Sequence, residues 1–382
     1  MKTTILLSMS LLTISYWPLK KTCRTHYQLF THLFVFSVGL MLGLMFNWQT
    51  IESNEESAAR RLVAAAKQQQ QLADTSALIT DKSFLIVCIF SAAANSDRRL
   101  AIRQSWMRLS GERHCKYYFI IGSLDLDEQE MRELLDEQNQ FNDLILFPHL
   151  KDTYTSLSHK LLLTFKWFSK KWQFNYLMKL DDDSFVRMDQ LFDELVERKV
   201  SGAVGSSGNK DIHPYRPIYW GYFDGRAFVK RTGQWSETQW SLCDRYLPYA
   251  LGGGYIVSEP LVRFVAENSH LLQLYRNEDV SLGVWLSPLN INRLHDRRFD
   301  TEYQSRGCLN AHLVIHKQSA NQMKLLYNNL QSIGRLCVKE TEHRLSYEYN
   351  WMVGPTHCCH RNLSFLNHNN NDINNKKIKS IK

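Results

Sequence analysis

The stretch Tyr176-Leu-Met-Lys-Leu-Asp-Asp-Asp-Ser-Phe185 joins a short apolar run to three consecutive carboxylates. Such a run is typical of a buried strand in a parallel sheet, and aspartate is a poor strand residue, so the strand is predicted to stop at Asp181. Ligands of open α/β sheets bind just beyond the carboxyl ends of strands. The stretch therefore predicts an α/β fold with Asp181, Asp182 and Asp183 at its ligand-binding edge.

The acid triplet has two interpretations. Three adjacent carboxylates repel one another, and a bound cation is the simplest way to keep them ionised and close together. Oxygen ligands favour Mg²⁺ or Mn²⁺, which commonly bridge carboxylates to substrate phosphates. The alternative is a solvated acidic turn, or a helix N-terminus capped by Asp183-Ser184. The apolar strand that leads directly into the acids favours the cation site.

Strand and helix alternate on both sides of this stretch. Strands are predicted over residues 84–90, 117–121 and 144–147, and helices over residues 98–108, 127–138, 154–170 and 188–197. This alternation predicts a mostly parallel sheet flanked by helices. From Gly202 onward Gly, Pro and Trp become more frequent, and this half is expected to form loops and short strands around a cleft.

The N-terminal region carries a membrane signal. Residues 28–46 contain no Asp, Glu, Lys or Arg. The length of this run is close to the about 20 apolar residues that a membrane-spanning helix needs. Lys20, Lys21 and Arg24 precede this run and acidic residues follow it, so residues 1–27 are expected in the cytosol, residues 28–47 in the membrane, and the rest in the lumen. The earlier apolar run 5–17 is the alternative, as the core of a signal peptide, but no clear small-residue cleavage site precedes the basic cluster.

Composition divides the rest of the chain into three parts. Residues 48–81 are rich in Ala, Gln and Glu and are predicted to form a stem. Residues 82–365 have the length of one α/β enzyme domain. Residues 366–382 form a tail of low complexity, rich in Asn and Lys.

The net charge of +8 is dispersed along the chain, and the tail from Asn367 to Lys382 alone holds four Lys against one Asp. A luminal location excludes nucleic acid as a partner. A basic surface beside a phosphate-bearing donor or an acidic polysaccharide explains the charge better.

Seven cysteines follow the proposed anchor and would face an oxidising compartment, where disulfides are expected. Because seven is odd, at least one is free or pairs between chains, and Cys88 within the first apolar strand is the candidate. None of the cysteine spacings forms a convincing zinc site. The sequon at Asn362 predicts a glycosylation site and agrees with luminal exposure.

Arginines on the helix after the first strand, Arg98, Arg99 and Arg103, lie near the expected nucleotide position. A guanidinium matches phosphate oxygens well, although a solvated helix face explains any single arginine equally well. The run Leu251-Gly-Gly-Gly-Tyr255 would let the backbone approach a ligand closely.

Two further motifs carry polar groups that either cap structure or bind ligands. Glu278 and Asp279 stand ahead of an apolar stretch, where acids commonly begin a helix. His316 ends the apolar run 313–315. A single histidine there is usually structural, but it could complete a metal site with the acid triplet.

Five motifs appear in order: Arg99-Leu-Ala-Ile-Arg-Gln-Ser-Trp106, Asp152-Thr-Tyr-Thr-Ser-Leu157, Lys179-Leu-Asp-Asp-Asp183, Gly252-Gly-Gly-Tyr255 and Glu278-Asp-Val280. Together they resemble the β-1,3-glycosyltransferase family of Golgi type II membrane enzymes. Each motif alone is weak, but five in order over one domain make a specific pattern.

A longer stretch narrows the resemblance. Residues 295–308, with residues 316–319 and the pair Cys358-Cys359, resemble the members that add galactose to the glycosaminoglycan linker. Ser156 departs from the pattern, because many members have Asn at this position. That departure puts any polar role of this side chain in doubt.

The resemblance implies a GT-A fold, in which a Rossmann-like sheet binds a nucleotide sugar. It implies Mn²⁺, with Mg²⁺ as the alternative, on the diphosphate of UDP-galactose, and a β-1,3 bond formed with inversion. The implied acceptor is the galactosyl-xylosyl stub on proteoglycan core proteins. Other linker glycosyltransferases would be partners, and the Golgi membrane the location.

The resemblance also implies roles for individual residues. Asp279 would be the catalytic base, with Glu278 beside it as the fallback and as an acceptor contact. The metal would be held by Asp183, Asp181 and His316. Donor contacts would come from Arg99, Arg103, Lys179, Asp182, Gly253 and Gly254, and acceptor-stacking surfaces from Trp220, Tyr222 and Trp240.

Two rival functions share these features. A β-1,3-N-acetylglucosaminyltransferase, or another galactosyltransferase, would carry the same general motifs. A membrane-tethered sugar-binding protein without catalysis would be a different class. Both acid sets are intact, at Asp181–Asp183 and at Asp279, and this argues against the non-catalytic interpretation.

Overall fold

The structure, a computed structural model, describes residues 81–200 and 216–361, together with Ser37 and Gly39–Met41. Apart from these last four residues, the proposed anchor lies outside the described residues. The same holds for the stem before Asp81, for the sequon at Asn362 and for the tail. None of the helices within the described ranges is long and apolar enough to cross a membrane.

A seven-stranded sheet forms the centre of the fold. Its strands in chain order, β1 to β7, are Leu85–Phe90, Cys115–Gly122, Leu144–Phe147, Tyr176–Asp181, Ile218–Asp224, Tyr249–Ser258 and Asn292–His295. They lie side by side in the order β7-β5-β6-β4-β1-β2-β3. Only β6 runs antiparallel to its neighbours in this sheet, so the prediction of a mixed α/β fold with a mostly parallel sheet is confirmed.

Helices cover the sheet. The helices α1 to α7 are Ser96–Gln104, Glu128–Phe141, Leu157–Lys171, Met188–Val200, Glu259–Glu267, Glu278–Leu286 and Ala320–Ile333. Short 3₁₀ turns lie at Trp106–Ser110, Tyr154–Ser156 and Pro355–His357, and two-residue strands pair Asp81–Lys82 with Trp172–Gln173 and Gly307–Cys308 with Thr341–Glu342. Capping boxes at Asp127 and Ser319 fix the starts of α2 and α7.

The sequence prediction differs from the structure at several places. Residues 154–156, expected in a helix, form a 3₁₀ turn before α3. The helix expected to reach residue 108 ends at Gln104, where the Ser105 hydroxyl bonds to the carbonyl of Ala101 and the chain continues as a 3₁₀ turn. The second half contains two long strands of the central sheet, β5 and β6, where short strands and loops were expected. The three glycines lie inside β6. A Cβ at Gly254 would come within 2.9 Å of the Leu180 side chain, so a larger residue would not fit at that position.

A second, three-stranded sheet positions the residues that follow the acid triplet. Its strands are Phe299–Asp300, Val314–Ile315 and Phe185–Val186. Val314 pairs with Val186 and Ile315 with Phe185. This pairing places His316, one residue after its strand, against the turn that holds Asp183.

The cysteines divide into paired and unpaired groups. Disulfides join Cys308 to Cys337 and Cys358 to Cys359. Within the described ranges, Cys88, Cys115 and Cys243 are unpaired, and Cys88 is fully buried in β1. The prediction of a buried, unpaired Cys88 is confirmed.

Candidate active site

Two carboxylates and one imidazole meet at the end of β4. His316 Nε2 lies 2.9 Å from Asp183 Oδ1 and 3.4 Å from Asp181 Oδ2. One ligand atom from each of the three residues lies within 4.8 Å of the others, so the group could hold a metal ion. A Cβ at Gly253 would come within 2.5 Å of His316 Nδ1, and the glycine therefore leaves room for the imidazole.

The protonation of His316 depends on its two acidic neighbours. Burial alone would lower the pKa of His316, but hydrogen bonds and charge from Asp181 and Asp183 raise this pKa to about 9. In the metal-free protein, the imidazolium is thus one of the positive charges that balance the carboxylates, beside Lys179 at Asp181 and Lys317 at Asp183. A metal ion that binds here must displace this proton, as at other histidine sites.

The middle acid of the triplet has a different role. Asp182 is buried and accepts hydrogen bonds from the Ser91 hydroxyl at 2.7 Å, the Asn95 amide at 2.8 Å and the Arg98 guanidinium at 2.9 Å. All three donors lie in the loop after β1 or at the start of α1. Asp182 therefore fixes the loop at the end of β1 and is not part of the metal-ligand group.

Lys179 links the triplet to the second acid pair. Its ammonium is fully buried and donates to Asp181 at 2.8 Å, to Glu278 at 2.5 Å and to the carbonyl of Gly252 at 2.8 Å. Burial opposes the charge, yet Asp181 and Glu278 hold the pKa of Lys179 above its usual range. An ammonium has three N–H donors, and all three are used within the protein.

Asp279 stands in the first turn of α6 at the same cleft. Its Oδ2 accepts the backbone N–H of Gly252 at 2.9 Å, and its Oδ1 accepts the N–H of Val280 at 2.7 Å. Burial and the neighbouring charge of Glu278 raise the pKa of Asp279 to about 7. A carboxylate accepts more than two hydrogen bonds, so lone pairs remain for a substrate hydroxyl.

A cleft of about 960 Å³ opens over these groups. This volume is near the upper end, about 1,000 Å³, of ordinary ligand sites. Its lining residues include Tyr154, Asp181, Arg226, Phe228, Trp235, Gly252, Gly253, Glu278, Asp279, Tyr303, His316, Lys317, Arg344 and Arg361. The cleft therefore brings Asp181 and His316, two members of the group that could hold a metal ion, together with Asp279, an acid of raised pKa.

Comparison with known proteins agrees with this geometry. The sequence profile described as galactosyltransferase matches residues 97–297, which include the acid triplet, β6 and Asp279. The chain belongs to the galactosyltransferase family. It is a glycosyltransferase with a mixed α/β fold.

Individual relatives differ in their sequence identity to this chain and in the length over which they match it. Mouse beta-1,3-galactosyltransferase 6 is 42% identical over 283 residues, which are 73% of this chain and 83% of the mouse protein. Human UDP-GalNAc:beta-1,3-N-acetylgalactosaminyltransferase 2 is 32% identical over 163 residues, 43% of this chain and 30% of that protein. Beta-1,3-galactosyltransferase GALT1 of Arabidopsis thaliana is 29% identical over 263 residues, 67% of this chain and 39% of that protein.

Two arginines expected to contact the sugar-nucleotide donor form their contacts within the protein instead. Arg99 is buried, and its guanidinium bonds to Glu137, to the Ser91 hydroxyl and to the carbonyls of Ala92 and Ala93. These contacts use all its N–H groups. The expected donor contact is corrected to a support of the loop after β1.

The second arginine, Arg103, pairs with Glu137 and Asp143 and packs over the rings of Phe119 and Phe141. It is therefore a structural residue in the last turn of α1. Lys179 is likewise corrected from a donor contact to an internal partner, because all three of its N–H donors are used within the protein, whereas the donor contact of Asp182 stays a prediction. Arg98, which the donor assignment omitted, is the helix arginine that reaches the triplet.

The glycines of β6 serve packing. Gly253 lies against His316, and Gly254 pairs with Leu180 and lies against Val314. Gly253 lines the cleft, while Gly254 does not. The sequence predicted that another group approaches the backbone of residues 251–255 closely, and at Gly253 and Gly254 that group is a protein side chain.

The three aromatic residues expected to stack on the acceptor are buried. The indole N–H of Trp220 donates to Asp296, and Tyr222 packs on His295 and Tyr347. The indole N–H of Trp240 donates to the carbonyl of Cys243. None of the three lines the cleft, so the acceptor-stacking assignment is wrong for Trp220, Tyr222 and Trp240.

Several cleft residues were missed in the sequence. Lys317 adopts a left-handed backbone with φ of 63°, and its ammonium lies 3.3 Å from Asp183 Oδ2. The position of Lys317 directly after His316 in the sequence could have identified it as a cleft residue. Tyr154 was inside a recognised motif, and Trp235 follows a glycine turn that no pattern linked to the acids. Ser156 in the same motif closes the turn before α3 through bonds to Lys151 and Thr153.

Proposed function

We propose that the chain is an inverting β-1,3-galactosyltransferase that transfers galactose from UDP-galactose to a galactosyl-β-1,4-xylosyl-serine acceptor. The observation that carries the proposal is the single cleft lined by Asp181 and His316, two members of the group that could hold a metal ion, and by Asp279. The 42% identity to mouse beta-1,3-galactosyltransferase 6 supports the galactose donor and the β-1,3 linkage.

Asp279 is the base in this proposal. Inversion in one displacement requires a group that removes the proton from the acceptor 3-hydroxyl as its oxygen bonds to the anomeric carbon and the bond to UDP breaks. A base works best when its pKa is near the operating pH, and that of Asp279 is about 7. Glu278 is less suitable, because it is buried and its Oε1 is bound to Lys179.

The residues at the end of β4 fit a divalent cation. Two carboxylates and one imidazole are a donor set suited to Mn²⁺, with Mg²⁺ as the alternative. When bound, the ion would neutralise negative charge on the diphosphate leaving group. Lys317 lines the cleft beside Asp183, and we assign it to the diphosphate side.

The biological setting forms part of the proposal. The charge-free run 28–46 and the basic residues before it support a type II anchor with the domain in the Golgi lumen. Core proteins that carry galactosyl-xylose would be the substrates, and other linker glycosyltransferases the partners.

The test is a donor and acceptor screen of the purified full-length protein. UDP-galactose, UDP-N-acetylglucosamine and UDP-N-acetylgalactosamine are each offered with galactosyl-β-1,4-xyloside and with N-acetylglucosamine acceptors, and the product linkage is read by NMR. Transfer of galactose in β-1,3 linkage to the galactosyl-xyloside is expected. Robust transfer only to N-acetylglucosamine would refute the linker acceptor, and use of another donor would refute the galactose assignment.

A further inference from the structure

One exposed tryptophan lines the cleft without a stacking partner. Trp235 belongs to the 225–248 segment, which connects β5 to β6, and its side chain is 46% exposed. Phe228 and Tyr303 are the other strongly exposed aromatics of the cleft, but Arg245 lies 3.9 Å over the Phe228 ring and Arg344 lies 5.5 Å over the Tyr303 ring. Within the described ranges no ring or cation covers Trp235.

The 225–248 segment is ordered by its own small core. Trp240 and Tyr246 of the segment pack with Tyr249, Tyr275 and Val280 in a cluster separate from the main core. Val280 follows Asp279 directly in α6. The cluster therefore connects the segment that carries Trp235 to the helix that carries the proposed base.

Trp235 also contacts residues next to the catalytic acids. Its carbonyl accepts a hydrogen bond from the Asn277 side chain at 3.5 Å, and Asn277 precedes Glu278 and Asp279. Tyr154 lines the same cleft, and burial together with the charges of Glu278 and Asp279 raises the pKa of Tyr154. Trp235 thus lies beside the acids on the open side of the cleft.

A buried carboxylate fixes the segment to the start of α6. Glu237 is almost fully buried, and its Oε1 accepts the backbone N–H of Gln239 at 2.8 Å. Its Oε2 accepts the backbone N–H of Arg276 at 2.6 Å. One side chain therefore bridges the turn after Trp235 and the residues that lead into Asp279.

The proposed sugar acceptor needs a binding surface close to Asp279. One face of a pyranose ring presents C–H groups, which pack on an aromatic ring, while its hydroxyls remain free for hydrogen bonds. The acceptor hydroxyl must reach Asp279, so the ring next to it must lie on the wall around that residue. Trp235 is the uncovered aromatic surface on that wall.

We propose that Trp235 binds the acceptor by stacking on a sugar ring, and that Glu237 is a positioning residue that holds Trp235 in register with Asp279. The inference rests on the proposed function, because it specifies how that site receives a saccharide. It replaces the buried Trp220, Tyr222 and Trp240 as the stacking surface.

The first test compares Trp235→Ala, Trp235→Phe and the control Leu242→Ala in the full-length enzyme. Leu242 is exposed on the same segment but does not line the cleft. With galactosyl-β-1,4-xyloside as acceptor, Trp235→Ala should raise the acceptor KM about tenfold, the size of one aromatic contact. Trp235→Phe should recover most of the loss, and Leu242→Ala should match the wild type. The Kd for UDP should stay unchanged in all three. An unchanged acceptor KM in Trp235→Ala would overturn the proposal.

The second test concerns Glu237. In Glu237→Gln an amide N–H replaces one oxygen and faces a backbone N–H, so the bridge to Arg276 or Gln239 is lost. We expect a higher acceptor KM with little change in kcat, whereas Asp244→Asn on the same segment should have no effect. If Glu237 acts through Trp235, the double variant Trp235→Ala/Glu237→Gln should be no worse than Trp235→Ala alone. Effects that add fully would refute the positioning role.

Failure of this inference can be separated from failure of the proposed function. If the wild-type enzyme uses an acceptor other than galactosyl-xyloside, the proposed function fails. The same comparison of Trp235 variants on the acceptor that the enzyme does use then decides the stacking role.

Discussion

The ammonium of Lys179 lies 2.5 Å from Oε1 of Glu278, and both side chains are buried. The same ammonium binds Asp181, so one lysine joins the metal-ligand group to the acid pair at the start of α6. The two acid sets are far apart in sequence, and this buried positive charge offsets the repulsion between Asp181 and Glu278.

Lys179→Met should destabilise the fold strongly. Removal of one partner from a buried ion pair leaves an uncompensated charge on Glu278 and costs about 3–5 kcal/mol. Lys339→Met is the control, because Lys339 is exposed. Chemical denaturation of both variants measures the free energy of unfolding. An equal midpoint for Lys179→Met and wild type would contradict the structural role of this pair.

Two acids of the triplet, Asp183 and Asp182, should respond differently to substitution. Asp183→Ala removes a ligand and should abolish cation-dependent UDP binding, measured by calorimetry with and without Mn²⁺. Asp182→Asn should keep cation binding but lower the thermal midpoint, since Asp182 accepts bonds from Ser91, Asn95 and Arg98. Loss of Mn²⁺ binding in Asp182→Asn with an intact fold would show that Asp182 is itself a ligand.

The rate of transfer should depend on pH through Asp279. The base acts only when deprotonated, and its pKa of about 7 lies above the usual value for an aspartate. Therefore kcat/KM should rise with pH up to about 7 and level off above it. The measurement uses saturating Mn²⁺, with cation affinity followed separately across the same range. Asp279→Asn should keep UDP binding and lose transfer, and normal turnover in this variant would exclude Asp279 as the base.

Much of the site could be predicted because its signals are local. The apolar run that ends at Asp181 and the acids that begin α6 are short patterns whose chemistry follows from neighbouring residues. The end of a strand and the start of a helix also fix where such residues lie in an α/β fold. The sequence therefore indicated Asp181, Asp183, His316 and Asp279, which the structure brings into one group of neighbours around the cleft.

The partners of charged and aromatic side chains could not be predicted, because they come from distant parts of the chain. Arg99 is separated by 38 residues from Glu137, its buried partner. Trp220 donates to Asp296 across 76 residues, a partner that no local pattern could identify. Burial of such residues is decided by tertiary packing, so their sequence position alone supports either role.

Arg103→Met tests the correction of the donor site. Arg103 pairs with Glu137 and Asp143 in a mostly buried site, and its loss should destabilise the fold by about 3 kcal/mol. The KM for UDP-galactose should stay within about twofold of wild type, because the side chain does not line the cleft. Arg132→Met is the matched control, since its pair with Glu128 is exposed and contributes at most about 0.5 kcal/mol. A large rise in donor KM for Arg103→Met, with the stability unchanged, would restore Arg103 as a donor contact.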